Sequence, residues 1–216
     1  MVQCPSCAWS QEPRLVCTDC GAPLAASLDY FAAFGLPRKL QVDANELERR
    51  YYEFGRRIHP DRFATGSAKV RDASLRATSL LTRAYRVLRD PVGRGLYWLE
   101  INGRKLGDNN KQVPPALAAL VFEIQEQLAE LRQAQTAPAE TEHNLRNGMI
   151  DRRGELQLAI DDSHKELELI FERFDCGESG TRENLFVDLK SILSKIAYLK
   201  TLIRDVDREL DALKAA

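Results

Sequence analysis

Four of the chain's five cysteines stand near the N-terminus as two close pairs, Cys4-Pro5-Ser6-Cys7 and Cys17-Thr18-Asp19-Cys20, with nine residues between the pairs. A two-residue spacer lets both thiolates of one tight knuckle reach the same ion, and Gly21 after the second pair permits the close turn. Four sulfurs would complete a tetrahedral shell with no open position, so the expected chemistry is structural zinc binding rather than activation of water. Residues 1–27 are too few to bury a self-sufficient apolar core, which gives the metal the role of a staple. A redox dithiol usually sits at a helix start in a larger α/β fold, and disulfides suit exported chains; the surrounding sequence matches neither pattern. Cys176 stands alone in a Cys-Gly-Glu-Ser-Gly turn and is read as an incidental loop thiol.

A second group with chemical character is His59-Pro60-Asp61. Asp43 to His59 reads as one helix: at about 100° per residue, Leu47, Tyr51, Phe54 and Ile58 share an arc of roughly 60°. Arg49, Arg50, Arg56 and Arg57 fall on an arc of about 120° on nearly the opposite side. Pro60 lacks an N–H and disfavours a helical residue before it, so the helix ends at His59. After a polar loop from Arg62 to Lys69, Ala73, Ala77, Leu80, Leu81, Ala84, Tyr85, Val87 and Leu88 recur with helical spacing up to Asp90-Pro91. Two antiparallel helices joined by an exposed, charged turn are expected.

The elements behind these groups follow from composition and periodicity. With 216 residues, 44% hydrophobic and 29% charged, the chain can form one or two small domains and is not globally disordered. No apolar run approaches the length of about 20 residues needed to span a bilayer, and the N-terminus shows no export or transit pattern, so a cytoplasmic location is expected. The net charge of −1 hides an asymmetry: residues 29–106 hold 16 Lys and Arg against 9 Asp and Glu, whereas residues 107–216 hold 14 against 21. Two surfaces with different partners are implied. The arginines carry no interleaved stacking aromatics or reader motif, so an acidic protein surface fits the basic segment better than nucleic acid does.

Toward the C-terminus, Leu185, Leu189, Ile192, Ile196, Leu199, Ile203, Val206, Leu210 and Leu213 step by four and three in a heptad seam. An upstream helix, from about Ala139 to Phe174, offers Leu145, Met149, Leu156, Ile160, Leu167, Ile170 and Phe174. A shorter one, from about Pro115 to Gln133, offers Leu117, Leu120, Val121, Ile124, Leu128 and Leu131. Short connections at 135–139 and 175–181 imply antiparallel neighbours and a three-helix bundle. In the shorter helix Phe122, Glu126 and Glu123 fall at about 140°, 180° and 240° from the core stripe, a large aromatic among acids. Tyr198 is displaced by about 140° from the stripe of the last helix.

The helix pair around His59-Pro60-Asp61 resembles the J domain, the module that activates DnaK-type ATPase chaperones. Asp29-Tyr30-Phe31, Phe34-Gly35-Leu36-Pro37, His59-Pro60-Asp61-Arg62-Phe63, Ala84-Tyr85, Leu88-Arg89-Asp90-Pro91 and Leu96-Tyr97-Trp98-Leu99 together are similar to the HscB family of iron–sulfur co-chaperones. The resemblance runs from about Leu28 to the C-terminus. It implies an all-α, L-shaped protein with a zinc knuckle at 1–27, a J domain at 28–106 and a scaffold-binding bundle at 107–216. It also implies that Arg49, Arg50, Arg56, Arg57, His59, Pro60 and Asp61 bind a DnaK/HscA-type chaperone and stimulate its ATP hydrolysis. Phe122, Glu123, Glu126 and Tyr198 match the positions that hold the iron–sulfur scaffold IscU. Ala118 and Ala119 stand where larger apolar contacts are common in the family. The leader with Cys4, Cys7, Cys17 and Cys20 resembles that of animal members.

Enzymatic activity is not expected, since His59 has no nucleophile beside it and His143 and His164 lie 21 residues apart on a polar helix. Two other readings remain open on residues alone. One is a nucleic-acid regulator with a zinc ribbon and a dimerising coiled coil; the other is a general J protein that delivers unfolded clients. No membrane or nucleic-acid partner is expected under the preferred reading.

Overall fold

The computed structural model describes residues 1–24, 26–106, 117–133, 139–177 and 182–215. Its architecture is the all-α one expected from sequence, with one small β-hairpin in the cysteine-rich leader. The chain falls into two compact units, Met1–Trp98 and Leu99–Ala216.

In the first unit, β1 (Val2–Gln3) pairs antiparallel with β2 (Ser10–Gln11), pairing Val2 with Gln11 and Gln3 with Ser10. A short helix α1 (Tyr30–Phe34) follows. Its start is capped by Asp29, whose carboxylate accepts from the Ala32 amide at 2.8 Å. Its end is closed by Gly35 at φ 62°, a left-handed position that suits glycine. Phe31 and Phe34 are fully buried.

Helix α2 (Ala44–Ile58) is capped by Asp43, which accepts from the amides of Asn45 and Glu46. Leu47 and Ile58 are buried, while Tyr51 and Phe54 are half-buried. Helix α3 (Ala68–Arg89) buries Val70, Ala73, Ser74, Ala77, Leu81, Ala84 and Leu88. It starts earlier than the apolar pattern shows, because the Ser67 hydroxyl accepts from the Val70 amide and the first turn is otherwise polar. A 3-10 turn over Pro60–Phe63 takes up the front of the segment read as loop. Helix α4 (Pro91–Ile101) closes the series, and Tyr97 stacks on Tyr30 with centroids 4.2 Å apart.

The second unit is a three-helix bundle of α5 (Ala118–Gln133), α6 (Ala139–Asp175) and α7 (Arg182–Ala215). Arg153 pairs with Asp207, Arg173 with Asp188, and Lys195 with Glu166. Low numbers on α6 thus meet high numbers on α7, so these two helices run antiparallel. Their common core with α5 holds Leu117, Ile124, Leu128, Leu131, Met149, Leu156, Ile160, Leu199, Leu202, Val206 and Leu210.

One expectation changes here. The buried stripe of α7 is wider than a heptad seam: Leu202, Leu193 and Phe186 are buried and Ile203 is only half-buried. A helix facing two neighbours needs a broader apolar face than a coiled-coil strand does. The expected N-terminal position Pro115 of α5, the 107–116 segment and most of the two bundle connections lie outside the described residues, as does the side chain of Leu213.

Candidate functional site

The four leader cysteines converge. Cys4 Sγ lies 3.6 Å from Cys20 Sγ and Cys7 Sγ lies 3.7 Å from Cys17 Sγ, and all four sulfurs fall within 4.8 Å of one another. A tetrahedron built on metal–sulfur bonds of about 2.3 Å has edges of about 3.8 Å, so the spacing fits a single ion. The two knuckles repeat one backbone pattern. The Ala8 amide donates to the Cys4 carbonyl and the Gly21 amide to the Cys17 carbonyl, each at 3.0 Å. Both fourth-following residues are left-handed, Ala8 at φ 60° and Gly21 at φ 72°. Gly21 flags its turn in the sequence; Ala8 does not, and it bears about 1–2 kcal/mol of steric cost there.

The electrostatics suit a cation. Burial raises the Cys17 thiol, but the amides of Cys20 and Asp19 and the sulfurs of Cys7 and Cys4 outweigh it and bring the pKa down to about 7. The Trp9 amide favours the Cys7 thiolate, yet desolvation and the Cys20, Cys4 and Cys17 sulfurs together push that thiol up. Four converging sulfurs whose thiolates repel one another can hold a metal ion, whose positive charge would favour all four thiolates. Cys176 is exposed and lies outside this cluster.

The His59-Pro60-Asp61 turn is held from below. Both hydroxyls that cap the end of α2 come from α3: Ser74 Oγ donates to the Ile58 carbonyl at 2.6 Å and Thr78 Oγ1 to the same oxygen at 3.4 Å. His59 is extended at ψ 133°, as a residue before proline prefers. The Asp61 amide donates to His59 Nδ1 at 3.4 Å, and the Asp61 carboxylate lies 3.5 Å from the same nitrogen. The side chains themselves face solvent, 56% exposed for His59 and 90% for Asp61. The turn thus presents two solvent-facing polar side chains that lie against each other.

The arginines of α2 separate into kinds that the helical wheel does not distinguish. Arg50 Nη1 donates to the carbonyls of Phe34 at 2.7 Å and Gly35 at 3.0 Å, and its Nε to Glu46 at 2.6 Å. Arg49 is exposed but held by Glu46, and Arg57 lies 3.8 Å from Glu53. Arg50, then Arg49, hold the Glu46 carboxyl below its usual range. Arg56 is exposed and has no carboxylate partner among the described residues. It lines, with Tyr51, Tyr52, Gly55, His59 and Arg62, a groove of about 570 Å³ between α2 and α3. Tyr52, Gly55 and Arg62 are functional candidates that pattern reading passed over. Gly55 is the clearest, since a glycine inside a helix with no atom within 4 Å of its missing Cβ has no internal reason to be there.

On the bundle, Phe122 is 69% exposed and Glu123 and Glu126 flank it at the surface. Arg152 of α6 lies 3.6 Å from Glu123, so that acid is partly matched. Glu126 has no partner among the described residues. Tyr198 departs from the expected off-core position: it is half-buried and packed against the bundle core. The widened stripe explains this, because Leu202 is four residues on and only about 40° away on the helix surface.

No protein-family model matches the chain. A co-chaperone protein HscB homolog of Bordetella avium (strain 197N) is 36% identical over 137 residues, 63% of this chain and 82% of that protein. An iron-sulfur cluster co-chaperone protein HscB homolog of Arabidopsis thaliana is 30% identical over 118 residues, 54% of this chain and 47% of that protein. The crystal structure of human co-chaperone protein HscB superposes with a TM-score of 0.69 at 25% identity, covering 95% of this chain and 96% of that one. Fold and sequence similarity agree that the chain belongs to the HscB family of co-chaperones.

Proposed function

We propose that this chain delivers an IscU-type iron–sulfur scaffold to a DnaK/HscA-type ATPase chaperone and stimulates that chaperone's ATP hydrolysis. The division of labour follows residues 1–27, 28–106 and 107–216. The J domain docks through His59, Pro60 and Asp61 with Arg49, Arg56 and Arg57 around them. Arg50 supports the docking helix from behind, since its guanidinium is committed to the end of α1. The scaffold binds the exposed face of α5 through Phe122, Glu126 and Glu123, with Tyr198 as a contact at the edge of the core. Cys4, Cys7, Cys17 and Cys20 hold a structural zinc ion, and closed sulfur coordination leaves it no role in activating water.

The observation that carries this reading is the exposed His59-Pro60-Asp61 turn fixed from beneath by Ser74 and Thr78. A turn anchored through its backbone, with both polar side chains turned to solvent, is placed to meet something outside the fold. The chain acts without enzymatic chemistry of its own, in the cytoplasm. Among the described residues no helix is long and apolar enough to cross a membrane.

Affinity capture from native extract tests the pairing of partners. Wild type as bait should retain a scaffold of the IscU type and, with ATP present, a DnaK-type chaperone. Phe122→Ala should lose the first. Recovery of nucleic acid or of heterogeneous unfolded chains in place of the scaffold would contradict the proposal.

A further inference from the structure

Leu15 is 2% exposed, yet it is not part of the small core that Cys4, Cys17, Ala22 and Leu24 form around the sulfurs. It sits on the second knuckle's hairpin. The Leu24 amide donates to the Leu15 carbonyl at 3.0 Å, the Cys17 amide to the Ala22 carbonyl at 2.8 Å, and Val16 bridges Pro23. One of these ties is made by the amide of the ligand Cys17 and another by its neighbour Val16, so the hairpin's shape is linked to closure of the sulfur cluster. From this hairpin Leu15 and Val16 form one wall of a groove of about 660 Å³. The opposite wall is Ala32, Ala33 and Gly35 at the end of α1, and Phe54 and Arg57 in the last turn of α2. Arg57 stands two residues before His59 in the chain.

The geometry points to Leu15 as a positioning residue. We propose that the metal-closed knuckle is a brace: through Leu15 it holds α1 and the last turn of α2, and with them the turn at His59, in the docking arrangement. The leader then acts on chaperone docking without touching the chaperone. The polar rim does not carry the contact: among the described residues Glu12 and Arg14 form no ion pair across the groove, and Arg57 lies by Glu53. What remains is apolar burial, which ends when the hairpin loses its metal-defined shape. The docking half of this inference rests on the chaperone reading above; the brace itself does not.

Hydrogen exchange on the full zinc-loaded chain tests the brace, using Leu15→Asp, the conservative Leu15→Met, and Ala32→Arg, which wedges the groove from the helix side. Leu15→Asp should keep one metal per chain while exchange in α1 and the last turn of α2 quickens by about tenfold, as expected for a local opening made easier. In chaperone ATPase assays the concentration giving half-maximal stimulation should rise about fivefold, with the maximal rate and scaffold affinity unchanged. Leu15→Met should restore both readouts. Should Leu15→Asp lose its metal, Ala32→Arg carries the same expectations with the knuckle sequence intact. Unchanged exchange in α2 with the groove disrupted would overturn the brace. Quickened exchange with unchanged half-saturation would overturn its link to docking. If wild type and His59→Gln both fail to stimulate, the chaperone reading itself falls, and exchange alone then decides the brace.

Discussion

Arg50 Nη1 donates a 2.7 Å hydrogen bond to the carbonyl oxygen of Phe34, sixteen positions earlier in the chain. A second bond reaches Gly35, so one guanidinium closes the end of α1 and ties it to α2. Arg50→Glu should therefore lower the melting temperature by several degrees, since it breaks charge-assisted bonds worth about 1.5–3 kcal/mol. Arg56→Glu should leave melting unchanged and weaken chaperone docking, more at low salt than at high salt, because screening already suppresses the wild-type attraction. Thermal melts beside docking titrations at two salt concentrations check both. Equal melting losses in the two variants would contradict the separation of roles.

The knuckle should bind one zinc per chain with sulfur ligands only. Metal analysis and X-ray absorption measure this directly, and Cys4→Ser with Cys17→Ser should lose the ion. Nitrogen in the coordination shell, or metal retained by the double variant, would refute the assignment. Chelation should open the leader hairpin without melting α2 and α3, whose core of Leu47, Ile58, Leu81 and Leu88 is independent of the sulfurs.

Gly55 offers a test of whether the groove beside His59 is used. A Cβ there would meet nothing within 4 Å, so Gly55→Ala should stabilise the isolated chain by about 0.5–1 kcal/mol. Gly55→Leu should keep the fold and reduce ATPase stimulation by filling the groove. Full stimulation by the leucine variant would show that no partner group enters it.

Helix periods, the end of α2 at His59-Pro60, the paired cysteines and the exposed Phe122 were all legible in the sequence, because each depends on local chemistry or on a period that one segment reveals. What stayed hidden depends on a neighbouring segment. The wheel places Arg50 with the other arginines, and only the carbonyls of α1 set it apart. Tyr198 looks displaced from a heptad seam until Leu202 is seen facing the core. Ala8 reads as an ordinary residue although its turn matches that of Gly21. Ser67 caps α3 ahead of any apolar signal.

These positions make the bundle variants distinguishable. Phe122→Ala should reduce affinity for the scaffold by about 30-fold, the effect of losing an interface anchor of about 2 kcal/mol, with melting unchanged. Tyr198→Ala should lower both affinity and melting temperature, since its ring also packs on the bundle core. Glu126→Gln should cost less than Phe122→Ala, with a share that shrinks as salt rises. Titration calorimetry paired with melting curves separates the contributions. Early melting of Phe122→Ala with affinity intact would return that residue to the core.

The central claim is most directly tested by single-turnover ATP hydrolysis on the partner chaperone, measured with wild type and with His59→Gln, each with and without scaffold. Wild type should accelerate hydrolysis and scaffold should accelerate it further. His59→Gln should bind scaffold normally, because His59 lies in a different unit from Phe122, yet leave hydrolysis near the rate of the chaperone with scaffold alone. Undiminished acceleration by His59→Gln would contradict the account.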